Sequence, residues 1–192
     1  MGKVYNKGYI GDGKYNIRKD KYAHSFWIQM LRRCYSDNYH IKNPTYKECT
    51  VHDEWLNFQN FCGWFYNNYY KIENQRMCLD KDILHKNNKE YSSVNCVFAP
   101  NDINVLFTKR QNRRGKYPIG VYWDKDSCKY KSQLTYLNKR INLGRFNTSE
   151  EAFKHYKIAK EKAIKEVADK YKNQIPKKLY DAMCSYEVEI TD

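Results

Sequence analysis

The chain has 192 residues, enough for one large domain or two small ones with a sizeable core. Its 41% hydrophobic and 16% aromatic content excludes a disordered chain, and a formal charge of +13, from 35 basic against 22 acidic side chains, calls for a polyanionic partner, nucleic acid before membrane surface. No apolar run approaches the ~20 residues of a spanning helix and Met1-Gly2-Lys3-Val4 begins no signal peptide, so a cytoplasmic protein free of the membrane is expected; a monomer is expected before an oligomer.

The first twenty residues carry Gly8, Gly11 and Gly13 among Tyr and Lys with no sustained period, which reads as an irregular or short-strand arm. No G-K-[ST] follows, so a phosphate-cradling loop lacks its required context. From Ala23 to Tyr35, Trp27, Met30, Leu31 and Cys34 fall three and four apart, as on one face of a helix, with Arg32 and Arg33 on its solvated side. Tyr39 to Cys49 reads as loop, and a second helix opens at Asp53 as N-cap, with the stripe Trp55, Phe58, Cys62, Phe65 and Tyr69. Such a stripe is usually core; stacking on unpaired bases is its rarer use.

Leu79 to Leu84 is a short β-type run, and a second begins at Tyr91 and continues into a predicted helix through Asn104; the polar loop His85 to Glu90 lies between them. The stretch Leu79-Asp80-Lys81-Asp82-Ile83-Leu84, with Asn95 and then Asn104 nine residues further on, resembles the HNH, or ββα-metal, nuclease motif of bacteriophage homing endonucleases. The resemblance implies a Mg²⁺ or Mn²⁺ site with Asp80 and Asn104 as its ligands, Asn95 as the brace of the loop, and Lys81 at the position usually held by a histidine base. The preceding Trp and Met helix and E-W-x-x-F-x-x-F are similar to the helices that support this unit in those nucleases.

The general base is open. Lys81 lies between Asp80 and Asp82, which favour its protonated form and make it a better phosphate clamp than a base. His85 has the right intrinsic range and is the alternative base. The metal alone could also activate water, and a site that no longer cuts is compatible with the same residues.

Seven cysteines (34, 49, 62, 78, 96, 128 and 184) show no C-x-x-C pair and read as reduced, mostly buried thiols. A long-range zinc site using Cys49 and His52 is the sharper alternative.

Lys109 to Lys116, with Arg110, Arg113 and Arg114, reads as a basic linker able to follow a phosphate backbone. Beyond it the period changes. Ile119–Trp123, Lys129–Tyr136 and Lys139–Phe146 are predicted as three antiparallel strands, with turns at Asp124–Ser127 and Leu137-Asn138. Thr148-Ser149-Glu150-Glu151 is a capping box that opens a helix with Ala152, Tyr156, Ala159, Ala163 and Val167 on one face. G-V-Y-W, K-Y-K-S-Q-L, N-L-G-R-F and T-S-E-E-A-F-x-x-Y, in this order over about Tyr117 to Tyr171, resemble the ethylene-response-factor type of DNA-binding domain. That resemblance implies a sheet laid in the DNA major groove.

Alternation along the second strand puts Lys129, Lys131 and Gln133 on one face against Tyr130 and Leu134, and Arg140 and Arg145 are the candidates on the third. Arg suits guanine and Gln adenine, whereas Lys more often holds phosphate. Gln174 to Asp192 offers a helix from Pro176, then the alternating Tyr186–Ile190, either a strand on a sheet edge or a tail.

The expected fold class is therefore α+β: N-terminal helices supporting an HNH-like unit (1–108), the linker (109–116), a three-stranded sheet packed on one helix (117–172), and an extension (173–192). The expected function is a metal-dependent, site-specific endonuclease acting on double-stranded DNA. The alternative is a non-catalytic DNA-binding protein, a regulator or a phage factor acting against its host.

Overall fold

The computed structural model of the protein describes residues 2–108, 116–136 and 139–192, which form two compact units, Met1–Ala99 and Pro100–Asp192. The class is α+β. Residues 109–115, with Arg110, Arg113 and Arg114, and the expected turn at 137–138 lie outside the described residues.

In the first unit the helical period from Ala23 is realised as α1 (Lys21–Tyr35), which buries Trp27, Met30, Leu31 and Cys34. The expected loop that follows is instead a short helix, α2 (Asp37–Lys42), and a 3-10 turn, Pro44–Tyr46. Both have local causes: the Ser36 side chain accepts from the Tyr39 N–H, and Pro44 presets the first turn of the second piece.

The second expected helix is broken into α3 (Asp53–Leu56) and α4 (Phe58–Asn68), with His52 rather than Asp53 as N-cap of the first. The break is tertiary in origin. Tyr9 of the arm donates to the Leu56 carbonyl at 2.9 Å and accepts from the Phe58 N–H at 2.9 Å, taking backbone groups that a continuous helix would pair internally. Asn57 Oδ1 then accepts from the Gln59 N–H at 2.9 Å and restarts the helix. The arm can approach because Gly8 has no Cβ, which would stand 2.4 Å from Leu31 and 2.8 Å from Trp27. The expected stripe is core: Trp55, Phe58, Cys62 and Phe65 are buried with α1, and Trp27 Nε1 donates to the Trp55 carbonyl at 2.7 Å.

Four short strands complete this unit: β1 (Thr50–Val51), β2 (Met77–Asp80), β3 (Glu90–Tyr91) and β4 (Val97–Pro100). β1 pairs with β3 in parallel, and β2 pairs with β4. The expected strand Leu79–Leu84 stops at Asp80 because the Asp80 carboxylate takes the N–H groups of Asp82 and Ile83 and turns the chain. The second β run is split between β3 and β4, with Asn95 in the turn that precedes β4.

The second unit begins with α5 (Asn101–Phe107) and contains the expected antiparallel sheet β5 (Val121–Asp124), β6 (Lys129–Tyr136) and β7 (Lys139–Phe146), in the order β5-β6-β7. α6 (Ser149–Tyr171) packs across it, capped by Thr148, whose Oγ1 accepts from the Glu151 N–H at 3.2 Å. Ala152, Tyr156, Ala163 and Val167 are buried as expected, and Ala159 partly so. α7 (Lys177–Cys184) starts after Pro176 and packs on α6 through its buried residues Leu179 and Met183. Tyr186–Ile190 forms no strand. The Val188 N–H donates to Glu161 Oε1 at 2.8 Å, and its side chain enters the core with Val121 and Leu134.

Candidate functional site

The loop after β2 is built from short polar reaches. Asp80 Oδ1 accepts from the Asp82 N–H at 2.7 Å and the Ile83 N–H at 2.8 Å, which fixes the carboxylate at the strand end. Burial pushes the Asp80 carboxyl above its ordinary range, and the neighbouring Asp82 charge adds to this.

Lys81 turns inward and is only 4% exposed. Its Nζ donates to Asp82 Oδ1 at 2.7 Å and to the Asn88 carbonyl at 2.8 Å, and lies 5.7 Å from the centre of the Tyr91 ring. Burial works against the charge, but Asp82 outweighs it and holds the ammonium above its usual pKa. Such a group has no lone pair to offer a proton, and its donors face the protein rather than a phosphate.

Asn88 crosses the loop, donating from Nδ2 to the Lys81 carbonyl at 2.9 Å and the Glu90 carbonyl at 2.7 Å. Asn95 Nδ2 donates in turn to Asn88 Oδ1 at 3.2 Å and Glu90 Oε2 at 3.4 Å. The structure thus brings Lys81, Asn88, Glu90 and Asn95 together as one brace, with Asp80 at its start. His85 is exposed near the tip of the same loop. Asn104 lies on α5 and belongs to the second unit.

Sequence reading missed Asn88, Glu90 and Arg33. Arg33 is not a solvated side chain: its Nη1 donates to the Tyr91 hydroxyl at 3.4 Å, while His40 Nε2 meets the Arg33 carbonyl at 2.8 Å. Lys81 and Arg33 thus both meet Tyr91, one at its ring and one at its hydroxyl, which hydropathy patterning of α1 alone does not reveal.

Among the described residues no cluster of three or more His, Cys, Asp or Glu is placed to hold a metal. The expected donor pair, one carboxylate and one amide, is not of that kind. It suits Mg²⁺, which keeps several waters and takes few protein oxygens. None of the seven cysteines forms a disulfide; Cys34, Cys49, Cys62 and Cys96 are buried, and burial pushes the Cys34 thiol up to about 12.

The second candidate surface is the sheet. Lys129, Lys131, Gln133 and Thr135 share the face of β6 that turns away from α6, while Ser132 and Leu134 are buried on the other. The register sets Tyr122 and Arg145 on either side of Lys131, Asn142 opposite Gln133, and Arg140 opposite Thr135. Arg140 and Arg145 are five positions apart, so strict alternation would send them to opposite faces. A register shift at Ser132/Gln133 leaves Leu143 as an extra residue in β7 and returns Arg145 to the face of Arg140. Gly144, at φ +121°, supplies the backbone that the bulge needs.

Arg145 Nε donates to Asp124 Oδ2 at 2.8 Å, and this bond holds the Asp124 carboxyl below its ordinary range. Asp124 and Tyr122 were missed from the sequence. The isolated Gly144 within a strand was the available signal for the bulge. Compared with known proteins, the chain matches no family model, no curated protein and no solved structure.

Proposed function

We propose that the protein is a metal-dependent, site-specific endonuclease of the HNH type that grips double-stranded DNA with the outward face of β5-β6-β7. The observation that carries the DNA half is the bulge that gathers Lys131, Gln133, Arg140, Asn142 and Arg145 on one solvent face. A two- or three-stranded ribbon fits the major groove, where Arg and the amide side chains match guanine and adenine edges. The charge of +13 supplies the sequence-independent attraction.

The catalytic half rests on Asp80, a carboxylate pinned at the end of β2; the HNH resemblance names Asn104, on α5, as the second oxygen donor. Asp80 would hold a Mg²⁺ or Mn²⁺ ion, which would supply Lewis-acid stabilisation of charge at a phosphate. Asp80 fixes its own orientation through two backbone N–H groups, and Asn95 with Asn88 keeps the loop rigid. Lys81 serves as a fixed internal cation. His85, exposed in the same loop, is the imidazole proposed to move the proton.

A second reading, a non-catalytic DNA-binding protein on the same scaffold, is favoured by the Lys81 ammonium, which stands where these nucleases carry a base and is bonded inward. Plasmid nicking with Mg²⁺ or Mn²⁺ separates the two. The expected result is nicking that EDTA abolishes and that Asp80→Asn removes, with duplex affinity within about twofold of wild type, because loss of an anionic ligand leaves phosphate attraction intact. Asn keeps the acceptor for the Asp82 and Ile83 N–H groups, so the variant tests charge rather than folding. Tight binding without nicking by the wild type would establish the second reading. Absence of salt-dependent duplex binding would end both.

A further inference from the structure

The arm of the first unit carries a surface that the loop and the sheet do not use. Residues Lys14-Tyr15-Asn16-Ile17-Arg18-Lys19-Asp20-Lys21-Tyr22 interleave rings with cations, and Lys14, Arg18, Lys19 and Lys21 are all exposed. The segment is clamped onto α4: the Tyr15 N–H donates to Gln59 Oε1 at 2.9 Å and Gln59 Nε2 returns to the Tyr15 carbonyl at 2.9 Å. This brings Tyr15 onto Tyr66, with ring centroids 5.7 Å apart and planes within 24°. Lys14 Nζ lies 5.0 Å from the Tyr15 ring centre.

Tyr66 nevertheless stays 53% exposed, and Tyr22 49%. Both rings are held at their hydroxyl ends, Tyr66 by Asp20 Oδ1 at 2.6 Å and Tyr22 by the Tyr69 hydroxyl at 2.8 Å. The acidic residue of the segment, Asp20, is engaged there and by the Asn16 N–H at 2.6 Å. What remains toward solvent is much of the fixed Tyr66 and Tyr22 rings, bordered by cations, while Tyr15 lies half-buried against Tyr66 and Lys14.

Fixed rings save the conformational cost that a free side chain pays on binding. Cations around them select a polyanion. A duplex hides its base faces in its own stack, so the complementary ligand is a single strand, whose unpaired bases stack on the rings while its phosphates meet the lysines and Arg18. We propose that Tyr22 and Tyr66, with Tyr15 as the support stacked on Tyr66 and with Lys14, Arg18, Lys19 and Lys21, form a binding platform for single-stranded nucleic acid. The platform lies within the first unit and does not rest on the endonuclease reading.

Fluorescence anisotropy with the full chain tests it, using labelled oligo-dT, labelled oligo-U and a labelled duplex. Tyr66→Ala and Tyr22→Ala are each expected to weaken single-strand binding about tenfold, the scale of one lost base stack, and to leave duplex binding within about twofold. Tyr66→Phe keeps the π face and is expected to bind as wild type even if loss of the Asp20 bond lowers its melting temperature. Tyr66→Leu keeps apolar bulk without the π face and is expected to fail like Tyr66→Ala, which separates stacking from a purely structural clamp. The tighter of oligo-dT and oligo-U names the strand as DNA or RNA. The proposal is overturned by single-strand affinity that is unchanged in Tyr66→Ala, by equal losses on single strand and duplex, or by absence of single-strand binding in the wild type.

Discussion

Asp124 shows how one side chain decides what another can do. Arg145 has a long, rotamer-rich stem, and an exposed arginine left free must be ordered each time it meets a base edge. The 2.8 Å bond from its Nε to Asp124 orders it beforehand and leaves the terminal nitrogens for a bidentate partner. Asp124→Asn is therefore expected to blur discrimination at one base pair, by about tenfold in the ratio of matched to mismatched sites, and to raise non-specific binding slightly because a negative charge is gone. Arg145→Ala should relax the same position, and the double variant should add little to it. Competition binding over a single-substitution library of sites reads all three. Additive losses would show that Asp124 does not act through Arg145.

Lys160 is a different kind of residue-scale case. It lines a cavity of about 20 Å³ in the second unit with Leu106, Ile119, Tyr156, Tyr186 and Asp192, and burial lowers its pKa from 10.5 to about 8. Below pH 8 the fold carries a desolvated charge that the unfolded chain hydrates freely. Between about 8 and 10.5 the unfolded chain holds more protons than the fold, so this residue's contribution to stability rises with pH. Lys160→Met is accordingly expected to be more stable than wild type at pH 7, by on the order of 1–2 kcal/mol, and the advantage should shrink as pH approaches 10. Melting temperatures of both proteins across that range check it. An advantage independent of pH would assign the effect to packing.

At the scale of elements, local signals and the structure agree where a segment needs no distant partner. β6 and β7 have the bounds that alternation gives, and the Thr148 cap forms. Disagreement begins where backbone groups are claimed from afar. The stripe from Trp55 to Tyr69 is a correct reading of burial, yet the helix beneath it is broken because Tyr9 takes hydrogen bonds at residues 56 and 58. Similarly, Leu79 to Leu84 mixes apolar and polar residues in a β-type run, but Asp80 turns the chain through its own side chain. The candidate loop was legible in Asp80 and Asn95; the inward course of Lys81 was not, because a sequence does not say that Asn88 and Asp82 will converge on one ammonium.

Gly144 joins element geometry to function. At φ +121°, a side chain is strained, and an added Cβ would stand 3.1 Å from the Phe146 ring. Gly144→Ala is expected to cost about 1–2 kcal/mol of stability. If the strand relieves that strain by losing the bulge, Arg145 turns to the inner face. DNA affinity should then fall together with melting temperature, whereas Gly144→Ala with full affinity and specificity would mean that the bulge does not set the reading face.

For the whole molecule, the question is which stretch is sufficient to fold and to carry the proposed DNA-reading face. The pattern of strands and helix places a unit at about 117–172, but the core of the second unit draws on both flanks. Val188 packs with Val121 and Leu134 under the sheet, and its N–H is tied to Glu161. Leu179 and Met183 are fully buried on α7, which packs on α6, and α5 packs on α6 as well. At roughly 1.5–3 kcal/mol for each buried side chain, removing Val188, Leu179 and Met183 forfeits about 5–9 kcal/mol, comparable with the 5–15 kcal/mol that holds a typical domain folded. A fragment from Lys116 to Lys172 is therefore expected to be largely unfolded or molten at 25 °C. A fragment from Pro100 to Asp192 should melt cooperatively and keep most of the full chain's preference among duplex sites, because every residue of the reading face and of the core beneath it lies within it. It should bind more weakly overall, since the cations of the first unit are gone. Circular dichroism melts and competition binding on the two fragments decide the matter. Equal stability of the shorter fragment would show that the C-terminal segment covers the core without supporting it.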